Sequence, residues 1–196
     1  MPSKPVLSEE DKKHIRHNLL ALCEELWISQ GYKKTSIKEL CTKTQIAIGT
    51  FYSLFPTKED LFYETALSIQ AHLKEQFYQT ALNGSDKTSF ANALKELFRE
   101  FDSKPFLYDV NTPDFRSFIT KLSDKEMEKI KFDSMAFFKE VCQAAELRPK
   151  METAKACGIL SALLGLIGTK QTLETMSDYF EIFDFMADSL MNEIFE

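Results

Sequence analysis

An all-α fold is predicted for this chain, and three observations predict it. Gly and Pro number only 6 each in 196 residues, so breakers are few and long stretches run uninterrupted. Apolar residues recur at three- and four-residue spacing along those stretches, the period of one helix face. No segment alternates apolar and polar at period two, as a half-buried strand would. The apolar share of 44% is ample for a core. The expected layout is about nine helices in all, with a compact three-helix head in residues 1–56 and a larger helical body in 57–196.

The elements follow in order. Ser8 and Asp11 have capping-box spacing ahead of Ile15, Leu19, Leu22 and Leu26, one face of a first helix. Gly31, after Ser29 and Gln30, marks its C-terminus. Thr35 or Ser36 caps a second helix, with Ile37, Leu40 and Cys41 facing inward. A turn at Thr44 and Gln45 leads to a short third helix over 47–54. Thr57 caps a long fourth helix, whose stripe Phe62, Ala66, Ile69, Leu73 and Phe77 ends at Asn83-Gly84. Asp86 opens the next helix, carrying Phe90, Leu94, Leu97 and Phe101. Thr112 followed by Pro113 is a cap with a proline at the first helical position. Ser123 and Glu126 cap a helix expected to continue to Leu147. Pro149 opens the helix holding the longest apolar run, Ala156 to Gly168, and a residue at or just before Ser177 opens the last.

Composition narrows the function classes. The net charge of −6 is uneven: residues 1–58 hold nine Lys and Arg against six acids, a net +3, leaving −9 on the rest. A basic head on an acidic body confines phosphate attraction to one end. The N-terminus has no apolar segment of the signal-peptide kind, and the apolar run at 156–168 is shorter than the ~20 residues that span a bilayer, so a buried helix and a cytoplasmic protein are expected. Cys23, Cys41, Cys142 and Cys157 lack CxxC spacing and read as small buried thiols. His14 and His17 have no carboxylate or Cys completing a ligand set, so neither a metal nor another cofactor is expected. GxSxG, HExxH and P-loop patterns are all missing, and no enzyme is expected.

The head itself has the anatomy of a helix-turn-helix, which lays its second helix in the major groove while flanking elements hold phosphates. Ile46, Phe51 and Phe55 fall on one side of the third helix and anchor it. Ala47, Ile48, Gly49, Thr50 and Ser53 face the other way. Gly49 permits close backbone approach, the Thr50 hydroxyl reaches a base edge or phosphate, and Ile48 suits a thymine methyl. Tyr52 carries a hydroxyl on a rigid ring, suited to a phosphate oxygen. Thr35 and Ser36 combine hydroxyls with free N–H groups at a helix start, and Lys38 and Lys58 add cations. Gln45 occupies a turn position that favours Gly, and Ala47 replaces a Ser-type cap, each a cost of about 1 kcal/mol.

This pattern, Gly31-Tyr32, Thr35-Ser36-Ile37, Leu40-Cys41, Ile46, Gly49-Thr50-Phe51-Tyr52, Phe55, Lys58-Glu59 and Leu61, resembles the TetR family of bacterial transcriptional repressors. The resemblance implies a ligand-responsive regulator, a homodimer on a pseudo-palindromic double-stranded operator, released or retained by a small effector. It implies phosphate contacts from Thr35 or Ser36, Tyr52 and Lys58, and base contacts from the outward side of 47–53. Repression and activation both remain open, as does a helical regulator or adaptor without small-molecule control.

In the body, the aromatic residues Phe77, Phe98, Phe101, Phe106, Phe115, Phe118 and Phe137 are expected to line an apolar effector pocket, which the resemblance places there. Gly158, Ala162 and Gly165 let another helix approach closely. The final helix repeats apolar residues at Met176, Phe180, Phe183, Ala187, Leu190 and Ile194, a coiled-coil-like spacing. Leu160, Leu164, Ile167, Phe180, Phe183, Leu190 and Ile194 are therefore expected at a dimer interface.

Overall fold

The computed structural model describes residues 7–104 and 112–196. It is all-helical: α1 (Glu9–Lys34), α2 (Ile37–Lys43), α3 (Ile48–Leu54), α4 (Lys58–Leu82), α5 (Lys87–Ser103), α6 (Pro113–Ile119), α7 (Asp124–Ile130), α8 (Ser134–Ala144), α9 (Thr153–Leu164), a 3-10 segment (Gly165–Thr169), α10 (Lys170–Leu173) and α11 (Tyr179–Ile194). Two compact units form. One is drawn from Met1–Gln70 and Phe106–Lys131, the other from Ala71–Pro105 and Phe132–Glu196. This division by packing differs from a division by role at residue 56, because α6 and α7 pack with the head.

Caps set most boundaries in the first unit. Ser8 and Asp11 close a reciprocal capping box at the start of α1, and Thr57 and Asp60 do the same for α4. The regular path of α1 breaks at Gly31, whose φ of 84° and ψ of 170° are open almost only to glycine. The chain then makes one more turn. Its N–H groups at Tyr32 and Lys33 donate to the Asp114 carboxylate of α6, at 2.7 and 2.9 Å. Around that joint lies an aromatic core: Trp27 meets Phe62 at 4.8 Å and Phe118 at 5.2 Å, and Tyr32 meets Phe62 at 5.0 Å.

The second unit is held by α5 against α11. Phe98 stacks on Phe183 with centroids 3.6 Å apart, flanked by Arg99 bidentate on Asp184 and Lys95 on Asp188 at 2.6 Å. Two expected boundaries and one expected burial are corrected here. The helix expected from Ser123 to Leu147 is two, because Lys131 turns extended and Asp133 caps α8 by accepting from Ala136 N–H at 2.9 Å. Pro149 does not open α9. It lies in an isolated antiparallel bridge with Phe195, where Lys150 N–H donates to Ile194 O at 2.7 Å. The apolar run is not a buried helix either. The stretch Thr153–Leu173 has the length and composition to cross a membrane, yet only 28% of its 18-residue apolar window is buried. All four cysteines are free and buried, as expected, and burial pushes the thiols of Cys23 and Cys142 up to about 12.

Candidate nucleic-acid interface

The candidate recognition helix is α3, and the turn before it decides its direction. Ser36 starts α2, its Oγ accepting from Glu39 N–H at 3.1 Å. At the other end Gln45 takes φ 56°, while Ile46 N–H reaches Cys41 O at 3.0 Å and Gln45 N–H reaches Thr42 O. That is a Schellman C-cap built without glycine, and the left-handed residue costs about 1 kcal/mol. Ala47 caps α3 with no side-chain bond, and the Thr44 hydroxyl does not substitute, since it donates to Leu40 O at 2.7 Å. A missing cap costs about another 1 kcal/mol. Packing offsets both costs. Phe51 and Phe55 are fully buried. Arg16 sits 4.3 Å over the Phe55 ring, pairs with Glu64, and donates to Leu54 O at 2.8 Å, satisfying the last carbonyl of α3.

With one side of α3 buried, the other is presented outward. Ile48 is 51% exposed and Tyr52 52%. Ala47, Gly49 and Ser53 are exposed as well, and Thr50 is half-buried. A Cβ added to Gly49 would meet nothing within 4 Å. The fold therefore does not require glycine there. Ile48, Gly49 and Tyr52 thus form the open face of α3.

The phosphate-binding candidates divide. Ser36 and Lys38 are exposed as expected. Thr35 is 1% exposed, and its hydroxyl donates back to Gly31 O at 2.9 Å, so its side chain is turned away from any phosphate. Lys58 is also redirected. Its Nζ donates to Tyr32 O at 2.5 Å and Thr35 O at 2.7 Å and lies 4.0 Å over the Tyr32 ring. There it serves the C-terminal carbonyls of α1, and burial draws its pKa below the ordinary lysine value. The cations exposed near the turn are Lys33, Lys34, Lys38 and Lys43. Beside Lys58, the Tyr32 hydroxyl donates to Glu59. Burial, then the Glu59 charge, raises the Tyr32 pKa. Burial alone would raise that of Glu59, but the Tyr32 bond, a backbone N–H and the nearby Lys58 and Lys121 charges together outweigh it and hold the carboxylate low.

The residues expected at an effector pocket divide between the two units. Phe115 and Phe118 belong to the first unit, the one stacked on Trp27 and the other edge-on to it, while Phe77, Phe98, Phe101 and Phe137 belong to the second. Phe106 lies outside the described residues. The rings pack on one another: Phe77 meets Phe90 at 5.3 Å and Phe137 at 5.6 Å, and Phe98 is enclosed by Tyr179, Phe180 and Phe183.

Of the residues expected at a dimer interface, Leu160, Ile167, Phe183 and Ile194 are core of the second unit. The four-three seam of α11 is already occupied, by α5 and α9. Leu164, Phe180 and Leu190 are half-buried. The outward face carries instead Phe185, 73% exposed, and Met186, which periodicity alone placed off the seam. Across from them in sequence, Gly158 and Gly165 have open space above their backbones.

Residues 19–65 match the model of the bacterial regulatory proteins of the tetR family. Solved structures share the fold over nearly the whole chain. NalD, the secondary repressor of the MexAB-OprM multidrug efflux pump in Pseudomonas aeruginosa, is 17% identical over 96% of this chain and 99% of its own, with a TM-score of 0.56. The fatty acid degradation regulator FadR from Bacillus halodurans is 12% identical over 97% of each chain, at 0.67. FadR from Bacillus subtilis, solved with stearoyl-CoA, is 16% identical over 91% of this chain and 98% of its own, at 0.59. No curated protein sequence matches. Residues 19–65 are thus similar to the N-terminal head of the tetR family of bacterial regulatory proteins, and the chain as a whole shares the fold of these solved regulators.

Proposed function

We propose that the protein is a ligand-responsive repressor that binds a pseudo-palindromic operator as a cytoplasmic homodimer and is released by a small, hydrophobic effector. The observation that carries this reading is the division of α3: Phe51 and Phe55 locked inward, Ile48, Gly49 and Tyr52 free on the other side. By role, residues 1–56 are the DNA-binding head and 57–196 the effector-binding and dimerisation body. The support for a dimer is the largely uncovered apolar stretch Thr153–Leu173, together with Phe185 and Met186. Surface of this kind is more than a monomer ordinarily leaves open.

Coupling to an effector rests on two connections. α4 is continuous from Lys58 to Leu82, and α6 holds the end of α1 through Asp114. A ligand that shifts either helix moves the head. Half-sites lie about 34–36 Å apart or a multiple of it, so a change of a few ångströms in head spacing removes most of the specific affinity. The stearoyl-CoA bound by the Bacillus subtilis regulator makes fatty acyl chains the first effectors to try. A second reading, a regulator without small-molecule control, is favoured by the rings that pack on each other.

The test is selection of binding sites from random duplexes near physiological salt. Recovery of an inverted repeat, bound less tightly by a monomeric Phe185→Asp variant, supports the dimeric reading. Recovery of no motif contradicts it. Release of the selected duplex by acyl-CoA thioesters or free fatty acids separates the two readings of control.

A further inference from the structure

The outward face of α3 has a specific chemical character. The helix, Ile48 to Leu54, contains no Arg, Lys, Asn, Gln, Asp or Glu. In the major groove, guanine is read mainly by Arg or Lys on its O6 and N7, adenine by the amide of Asn or Gln, and cytosine by a carboxylate. None of those pairings is available from this helix. Its exposed polar atoms are hydroxyls, and Ser53 already donates its proton to Thr50 O at 2.7 Å. What the face does present is an aliphatic side chain, Ile48, half exposed, beside Ala47 and the bare backbone of Gly49. The one apolar group that a base pair offers in the major groove is the thymine C5-methyl.

We propose that the head reads its half-site chiefly through thymine methyl groups, with Ile48 the specificity-determining residue. Gly49 lets the helix settle deep enough for that contact, since a side chain there would project into the same space without touching its own fold. The inference rests on the DNA-binding reading above and adds which bases that surface selects. Ile48 is solvent-exposed and contributes little to the head's packing, so Ile48→Ala folds and its DNA binding is interpretable. The nearest amide, Gln45, stands in the turn ahead of the helix and is tested separately as Gln45→Ala.

The experiment uses the full-length protein and the operator recovered by selection. Each thymine in turn is replaced by deoxyuridine, which removes only the methyl. At one position per half-site the wild type loses about fourfold in affinity, the factor that withdrawing one methyl-sized apolar contact supplies, and roughly 15-fold when both half-sites are changed. In Ile48→Ala the same replacements change affinity by less than about 1.5-fold, while Gln45→Ala keeps the wild-type response. If deoxyuridine is tolerated throughout, or costs Ile48→Ala as much as the wild type, the proposal is overturned and the regulator reading stands. If selection yields no motif, both fall.

Discussion

The carboxylate of Asp114 occupies the space that a side chain at residue 31 would need: a Cβ on Gly31 would lie 2.8 Å from Asp114 Oδ2. The missing side chain and the carboxylate are thus two halves of one joint. Glycine supplies the φ of 84° that stops α1, and the Asp114 carboxylate caps the turn that restarts beyond it. Eighty-three positions separate them in the chain, and together they tie α6 to the end of the head's first helix.

Gly31→Ala is therefore expected to destabilise the protein by about 3 kcal/mol, combining a backbone region that costs 1–3 kcal/mol for a non-glycine residue with displacement of the cap. Asp114→Ala alone should cost about 1 kcal/mol, as the loss of an N-cap does. Because both act on one joint, the double variant should lose less than the sum. Urea unfolding of the three variants measures this, and strict additivity would separate the two residues.

The Tyr32–Glu59 bond predicts a pH dependence. Glu59 has a folded-state pKa below its ordinary value, so the unfolded chain takes up the proton first as pH falls. Its contribution is complete above about pH 4.3, the unfolded value, and is lost as pH falls through the folded one. Removing the hydroxyl in Tyr32→Phe should flatten this loss of stability on the acid side. Urea midpoints at pH 7, 4 and 3 test it; parallel curves for the two proteins would refute the assignment.

Lys58 and Lys38 should behave oppositely on DNA. A lysine that neutralises one phosphate contributes about 0.9 to the slope of log affinity against log salt. Lys38→Met should lower that slope by about this amount in each half-site. Lys58→Met should leave it unchanged and lower stability instead, because its ammonium serves Tyr32 O and Thr35 O. A reduced slope in Lys58→Met would mean that the side chain swings out on binding.

The head was legible because its signals are local. The Ser8–Asp11 box, the Thr57 cap and the strain at Gln45 all act within four residues, and each appears where the sequence predicts it; Asp60, which closes the Thr57 box, is added by the structure. Local pattern failed where a choice between partners was needed. Thr35 has the residue type of a phosphate ligand, but Gly31 O claims its hydroxyl; Lys58 has the right charge, but the carbonyls ending α1 take it. The repeat on α11 does describe an apolar seam, and spacing cannot say whether the seam meets the same chain or another. Here α5 and α9 fill it from Phe180 onward, Met176 lies before the helix and is exposed, and Phe185 and Met186, off the repeat, face outward. Asp133, inside what reads as one helix, caps a second because the two residues before it leave helical geometry. Asp114 carries no sequence signal at all, since its partner is two unremarkable N–H groups far away in the chain.

The most direct test of the central claim, that the open face of α3 is the surface that meets DNA, is the affinity of Gly49→Leu for the selected operator. A side chain at residue 49 meets nothing within 4 Å in the free protein, and replacing a helical glycine is itself favourable by up to about 1 kcal/mol. The variant should therefore melt at the wild-type temperature or above it. Its specific affinity should fall by more than the roughly 15-fold that losing one methyl contact in each half-site supplies, because the added side chain also holds the helix out of the groove, while weak salt-sensitive binding persists. An undiminished specific affinity in a well-folded Gly49→Leu protein would contradict the account.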